Sequence, residues 1–462
     1  MEKRERALPQ ELLDQVVDEI GREYADSFFQ GYGDPISQKT LLSFLSVSRS
    51  FHDRAIAPLL TEVHLNDHPD VMQRITTLRQ ILNPTPGSTL RPVKSCIQKC
   101  VMTLSMHNQR EPVLSHQLEE QPEEEYDKWV GDIFANAETS ALFDDLHHKN
   151  YGIRELTIDL VTSRSVQWPD LPHRLSSSLL ALIRSSHLES LHLIQITCLP
   201  LALLRGSSLK HLRLEQSDLL AVGGLSPVEE PDEDDQPYPK LESVQTDSRS
   251  IASLYVGAAA STFTELKQLR IDGILPGLYD SSLKILRLAQ NTLEDISLHF
   301  GGELSFPAGT VDFGSMPRLR TFTLYNYRSY MDAYEQRSDS SMDHICLMLD
   351  ARTPLRHLAE LTLKLHFSDM NVREDFLYPV PNSHWQAIDA VLAGNKFPVL
   401  RKVNVQIESD VYVHDHRNTF DRQIFIDTMP VRLREALPRL SSSDTVELKV
   451  EASIDVLRTG SQ

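Results

Sequence analysis

The chain has 462 residues, of which 40% are apolar or aromatic and 24% charged, with a formal net charge of −19 and four cysteines. This balance excludes a disordered chain, a collagen-like chain and a coiled-coil rod, and the length supports a core that folds unaided. Four cysteines in so long a chain make no disulfide framework, which points to a reducing compartment, cytoplasmic or nuclear.

The N-terminal segment MEKRERALPQ is charged and then polar, so no secretory signal is expected there. The first predicted helix opens at Leu8-Pro9-Gln10-Glu11, with proline pre-organised for the first turn and Glu11 suited to the positive helix end. Leu12, Leu13, Val16, Val17 and Ile20 then form one apolar stripe, and Gly21 reads as its stop. A polar stretch from Arg22 to Thr40 separates it from a second apolar run, Leu41, Leu42, Phe44, Leu45 and Val47. A third short helix carries Ala55, Ile56, Leu59 and Leu60, with Pro58 expected to end or kink it. So small a module cannot bury every stripe within itself. Its surplus face either docks on the rest of the chain or awaits a partner.

The order of these pieces resembles the F-box: Leu8-Pro9, Glu11-Leu12-Leu13, Leu41 with Leu45, then Val47-Ser48-Arg49-Ser50-Phe51. The connection between the leucine runs is longer than in a compact F-box, and Phe51 stands where tryptophan is frequent. Elongated versions of this kind are similar to fungal F-box domain-containing proteins.

Two segments carry most of the negative charge. Residues 110–150 hold eleven acidic and three basic side chains, and 228–236 hold six acidic and none basic. Both are expected to be solvated loops, or else docking sites for a basic partner, and their sign is wrong for a nucleic-acid backbone. The longest apolar run, Cys198 to Leu204, is far short of the about 20 residues a membrane span needs.

Leucine accounts for 66 of 462 residues, an excess that calls for a search for repeats. Leu-x-x-Leu-x-Leu or a close variant recurs as VMTLSM (101–106), IRELTI (153–158), LESLHL (188–193), LKHLRL (209–214), LESVQT (241–246) and LKQLRI (266–271). It continues as LEDISL (293–298), LRTFTL (319–324), LAELTL (358–363), LRKVNV (400–405) and TVELKV (445–450). Helix-like pieces lie between them, at Ser176–Ser186, Pro200–Gly206, Ile251–Ala259, Ser281–Gln290, Met342–Ala351 and Trp385–Leu392. A strand, a turn and an amphipathic helix cannot cover their own apolar face, so neighbours stack and share a core. The pattern resembles leucine-rich repeats in irregular form, because the usual Asn or Cys ladder position reads Ile196, Ser217 and Ile274. An ordinary α/β sheet domain is the alternative.

The expected fold class is therefore α/β: a small all-helical F-box over 7–62, then an irregular leucine-rich-repeat-like solenoid with a parallel sheet over 63–450. Acidic insertions fall at 110–150 and 226–238. Outward residues flanking the strand leucines form the candidate target-binding surface, notably His192, His211, Arg213, Arg270, Asp272, His299, Tyr325 and Lys364. This polar mix of both signs suits a protein partner better than lipid or nucleic acid.

Catalytic constellations are not evident. The sequence lacks a G-x-S-x-G elbow, an H-E-x-x-H pair and a phosphate loop. Gly31-Tyr32-Gly33 lacks the third glycine of a dinucleotide fingerprint. Cys96 and Cys100 would share a helix face without a histidine pair to complete a zinc site. His147-His148 beside Asp144 and Asp145 reads as placement against a helix dipole. No enzyme activity, metal or cofactor is expected.

The F-box resemblance implies a substrate-recognition adaptor of an SCF-type cullin-RING ubiquitin ligase. Leu8, Pro9, Leu12, Leu13, Val16, Leu41, Leu45 and Val47 would dock a Skp-type adaptor, and the repeats would hold a target protein. The alternative is a scaffold that binds such an adaptor or other partners without ubiquitin transfer.

Overall fold

A computed structural model describes residues 10–29, 35–66, 70–84, 93–105, 123–148, 151–161, 165–220, 236–274, 279–301, 311–329, 340–371, 382–413 and 422–458. Leu8, Pro9 and the Gly31-Tyr32-Gly33 segment lie outside them, as does all but the last residue of the 228–236 run. The chain is mixed α/β, and it divides into two compact units. One spans Met1–Leu209 with Val222–Pro239, the other Lys210–Ala221 with Lys240–Gln462. The helical module expected over 7–62 falls within the first unit.

In the first unit, α1 (Gln10–Phe29), α2 (Pro35–Phe44) and α3 (Arg49–Leu60) pack on one another. Gly21 does not stop α1. The helix runs past it, and a Cβ there would lie 3.0 Å from Pro58 Cγ, so the bare glycine lets α1 and α3 approach closely. Pro58 likewise sits inside α3, which ends two residues later. Ser48 caps α3 by accepting a hydrogen bond from the Phe51 N–H at 3.3 Å. The much longer linker expected over Arg22–Thr40 is partly taken up by the end of α1 and the start of α2.

Among the described residues of this unit, the longer strands are β1 (Glu62–Asn66), β2 (Lys99–Ser105), β3 (Glu155–Val161) and β4 (Ser190–Ile194), all parallel. They are interleaved with α4 (Val71–Leu82), α5 (Glu123–Ala135), α6 (Ala137–Leu146) and α7 (His173–Ile183). Helices α5 and α6 correct the expectation of a solvated acidic loop, since Leu142 and Phe143 are fully buried. Residues 110–122 of that segment lie outside the described residues, and of the acidic side chains described, Glu138 and Asp145 are tied to Arg79. Asp145 accepts from Arg79 Nε at 3.0 Å, Asn83 Nδ2 at 2.7 Å and Lys94 Nζ at 3.1 Å. Burial alone would raise the Asp145 carboxyl, but these donors outweigh it and hold the pKa below the ordinary aspartate value. Cys96 ends a 3-10 turn and Cys100 lies in β2, so they do not share a helix face; burial pushes the Cys100 thiol up to about 12.

The second unit holds eight parallel strands among the described residues: β5 (His211–Glu215), β6 (Ser243–Asp247), β7 (Gln268–Ile274), β8 (Asp295–Gly301), β9 (Thr321–Ser329), β10 (Glu360–Asn371), β11 (Lys402–Val413) and β12 (Glu447–Arg458). The alternating motif explains their pleat. Leu212, Val244, Leu269, Ile296, Phe322, Leu361 and Val403 occupy one register row, and all are buried. Helices α8 (Ser248–Gly257), α9 (Tyr279–Leu288), α10 (Ser340–Leu349), α11 (Asn382–Leu392), α12 (Arg422–Ala436) and α13 (Pro438–Ser441) lie between successive strands in sequence.

A positive-φ position recurs at or just past the end of the short strands. Gln195, Gln216 and Gly273 each lie four residues past a central leucine, and each has positive φ (59°, 50° and 62°). The next residue, Ile196, Ser217 or Ile274, is the ladder position and is buried. An apolar side chain needs no hydrogen-bond partner there. At Ser217 the backbone N–H donates instead to Ser250 Oγ at 3.1 Å.

Candidate protein-interaction surfaces

The helical module closes around Val17, Leu41 and Ala55, with Ile20, Phe44, Leu45, Phe51 and Leu59 packed against them. The Phe44 and Phe51 rings lie 5.2 Å apart. Leu41 is therefore a core residue and not the partner contact expected from sequence, and Leu45 is largely committed to the same core. The stripe of α1 is divided between two duties: Val17 points inward, while Leu12 and Val16 are 48% and 50% exposed. Leu13 is half-buried. Val47 is 61% exposed, and Ile36 and Leu42 of α2, absent from the sequence-derived set, are exposed as well.

The outward face of the second unit's sheet is a set of cross-strand partners. In one register row stand His299, Tyr325, Lys364, Gln406 and Glu451; in the next stand Tyr327, His366 and Glu408. Lys364 Nζ lies 5.4 Å from the Tyr325 ring centroid and 2.7 Å from Glu408 Oε1. The Tyr327 and His366 rings are 4.9 Å apart, and His366 Nε2 is 3.0 Å from Asp410 Oδ2. Burial first, then Glu408, Tyr327 and Asp410, push the Tyr325 hydroxyl up to about 12.

Towards β7, His299 Nδ1 meets Asp272 and its Nε2 lies 3.0 Å from Ser297 Oγ, while Arg270 Nε bonds Asp272 at 3.1 Å. Burial opposes ionisation of Asp272, but His299 and Arg270 outweigh it and hold the carboxyl below its ordinary value. The Ser297–His299–Asp272 connectivity is that of a nucleophilic triad. Its members stand on the adjacent parallel strands β7 and β8 and link them side chain to side chain.

The sequence-derived surface residues are thus partly brought together. Arg270, Asp272, His299, Tyr325 and Lys364 fall on neighbouring strands β7–β10. Arg213 is tied to Glu215 of its own strand and His211 is exposed at the start of β5. His192 belongs to β4 in the first unit, in register with Thr157. Sequence reading missed Tyr327, His366, Glu408 and Asp410, because it counted one motif per strand while β9–β11 run on by further alternating positions. Continued alternation after the motif, as in TLYNY and TLKLHF, was the available signal.

Among the described residues, no cluster of three or more His, Cys, Asp or Glu is arranged to hold a metal, and no helix is long and apolar enough to cross a membrane. No protein-family model matches the chain, and no curated protein matches its sequence.

Proposed function

We propose that this chain is an F-box-type adaptor that selects a target protein for an SCF-type cullin-RING ubiquitin ligase and performs no catalysis itself. The observation that carries the reading is the division of the helical module. It commits Val17, Leu41 and Ala55 to a minimal core yet leaves Leu12, Val16 and Val47 about half or more exposed. Large apolar side chains kept in water on so small a module fit a partner surface. Leu12 and Val16, one turn apart on α1, would meet a Skp-type adaptor, with Leu13 at their flank. Leu8 and Pro9 enter through the family resemblance alone.

The second unit would supply target recognition through Tyr325, Tyr327, Lys364 and the carboxylates beside them, a mixed aromatic and charged surface of the kind that carries binding hot spots. Holding a target beside a conjugating enzyme raises the effective concentration of its lysines, which needs no reactive group on this chain.

Co-purification tests the reading. The wild-type chain should recover a Skp-type adaptor and, with it, a cullin, and Leu12→Asp/Val16→Asp should lose both while keeping its circular dichroism spectrum. Recovery of the adaptor without a cullin identifies a scaffold outside ubiquitin transfer. Failure of the wild type to recover the adaptor removes the F-box reading altogether.

A further inference from the structure

We propose that two copies of this chain pair antiparallel through the outer edge of β12, joining their second-unit sheets. The starting point is main-chain direction. The Glu447 N–H donates to Arg401 O at 2.7 Å, so the odd-numbered residues of β12 direct their N–H and C=O groups to β11. These directions alternate along a strand, so Leu448, Val450, Ala452 and Ile454 present theirs to the opposite side. There β12 is the terminal strand, and among the described residues no strand or other backbone group takes them. The strand has 12 residues, a span of about 40 Å at ~3.3 Å per residue. An edge of that length with a row of unpaired backbone groups is a template for another strand.

The side chains of β12 select a second copy as the occupant. Lys449, Glu451, Ser453 and Asp455 are exposed on the outward face, while Val450 and Ile454 point inward and are buried. Consider antiparallel pairing about a twofold axis through Ala452. Val450 then faces Ile454 of the other copy, Lys449 faces Asp455, and Glu451 faces Ser453, each contact occurring twice. Moving the axis to Glu451 sets that glutamate against itself and Glu447 against Asp455. Moving it to Ser453 sets Glu451 against Asp455. Directly opposed like charges destabilise a strand pair and opposite charges stabilise it. Moving the axis to Val450 also opposes Lys449 and Glu451, but overlaps the strands only over 447–453, whereas the Ala452 axis combines opposite charges with overlap over 447–457. A twofold axis makes the contact self-limiting.

One packing feature agrees. Leu448 and Ala452 are only partly covered, whereas Val403, Val405 and Ile407 of β11 are sealed. Joining two β12 strands continues the sheet past this edge and covers these inward side chains.

Sedimentation velocity of the full chain over a concentration series tests the pairing. The wild type should shift from the chain mass to twice that mass as concentration rises. Lys449→Asp places like charges opposite each other at two points, as does Asp455→Lys, and each variant should stay at the chain mass. Mixing the two variants restores opposite charges at both points and should restore the double mass. Ala452→Pro removes the edge-facing N–H at the axis while leaving the β11 ladder intact, so it should abolish pairing with an unchanged circular dichroism spectrum. A wild type that stays at the chain mass throughout overturns the proposal. So does a single charge variant that still doubles, or a mixture that does not.

Discussion

The helical module at Gln10–Leu60 and the sheet of the second unit treat apolar side chains in opposite ways. Among its described apolar side chains the module seals Val17, Leu41 and Ala55 and leaves Leu12, Val16, Ile36, Leu42 and Val47 in water. The sheet seals an apolar residue on strand after strand and covers its outward face with paired charges and rings. The difference follows from geometry. Three short helices share one small contact region, so part of each stripe has no neighbour within the module. Stacked strands have a neighbour on each side, so each inward residue is covered in turn. Exposed apolar area therefore carries more information in the module than in the sheet.

The largest effect is expected in the sheet core. Phe322→Ala removes a fully buried ring whose centroid lies 4.7 Å from that of Phe313, and should cost about 3–5 kcal/mol in denaturant unfolding. Leu41→Ala should cost about 2–5 kcal/mol within the module. Because that core is so small, the loss should appear as selective proteolysis of the N-terminal helices while the second unit stays resistant; uniform proteolysis of the whole chain would break the contrast.

A smaller effect is expected at Asp247. Its carboxylate caps α8 by accepting from the Arg249 and Ser250 N–H groups, at 2.8 and 3.0 Å, and also accepts from Gln216 N–H beyond β5. Asp247→Ala should cost about 1–2 kcal/mol, read as a lower thermal midpoint. The smallest effect concerns the outward face. The Asp272 carboxyl has a folded pKa held below its unfolded value, so it contributes stability above the unfolded value. That contribution is lost as pH falls through the folded one. Thermal midpoints should therefore fall less steeply below about pH 4 in Asp272→Asn than in the wild type. Parallel acid profiles for the two proteins would show that the His299 and Arg270 contacts add nothing.

Much of the sheet was legible because its signal is local. A leucine at every second position dictates a pleat with one face inward, and each of the eleven motifs overlaps a strand. β1 escaped notice because EVHLN is short and carries a single leucine. Helices α5 and α6 escaped because their charge content read as loop. Phe143 is sealed by packing that composition does not encode, and Asp145 is held by Arg79, Asn83 and Lys94 from distant parts of the chain. Gly21 was misread for a related reason. A glycine in a helical pattern signals a stop when viewed locally, but Pro58 lies against it, and only that contact accounts for its place inside α1.

The sequence by itself determined the positions of the motif-bearing strands, their inward rows and the amphipathic stripe of the first helix, because periodicities of two and 3.6 act between near neighbours along the chain. Tertiary structure decided the rest. It assigned Leu41 to a core and Leu12 and Val16 to the surface, although all belong to apolar runs. It joined Tyr327, His366, Glu408 and Asp410 across β9–β11, and it left β12 with an open edge. Each of these depends on which residues distant in sequence become neighbours, and that is set by the packing of whole elements.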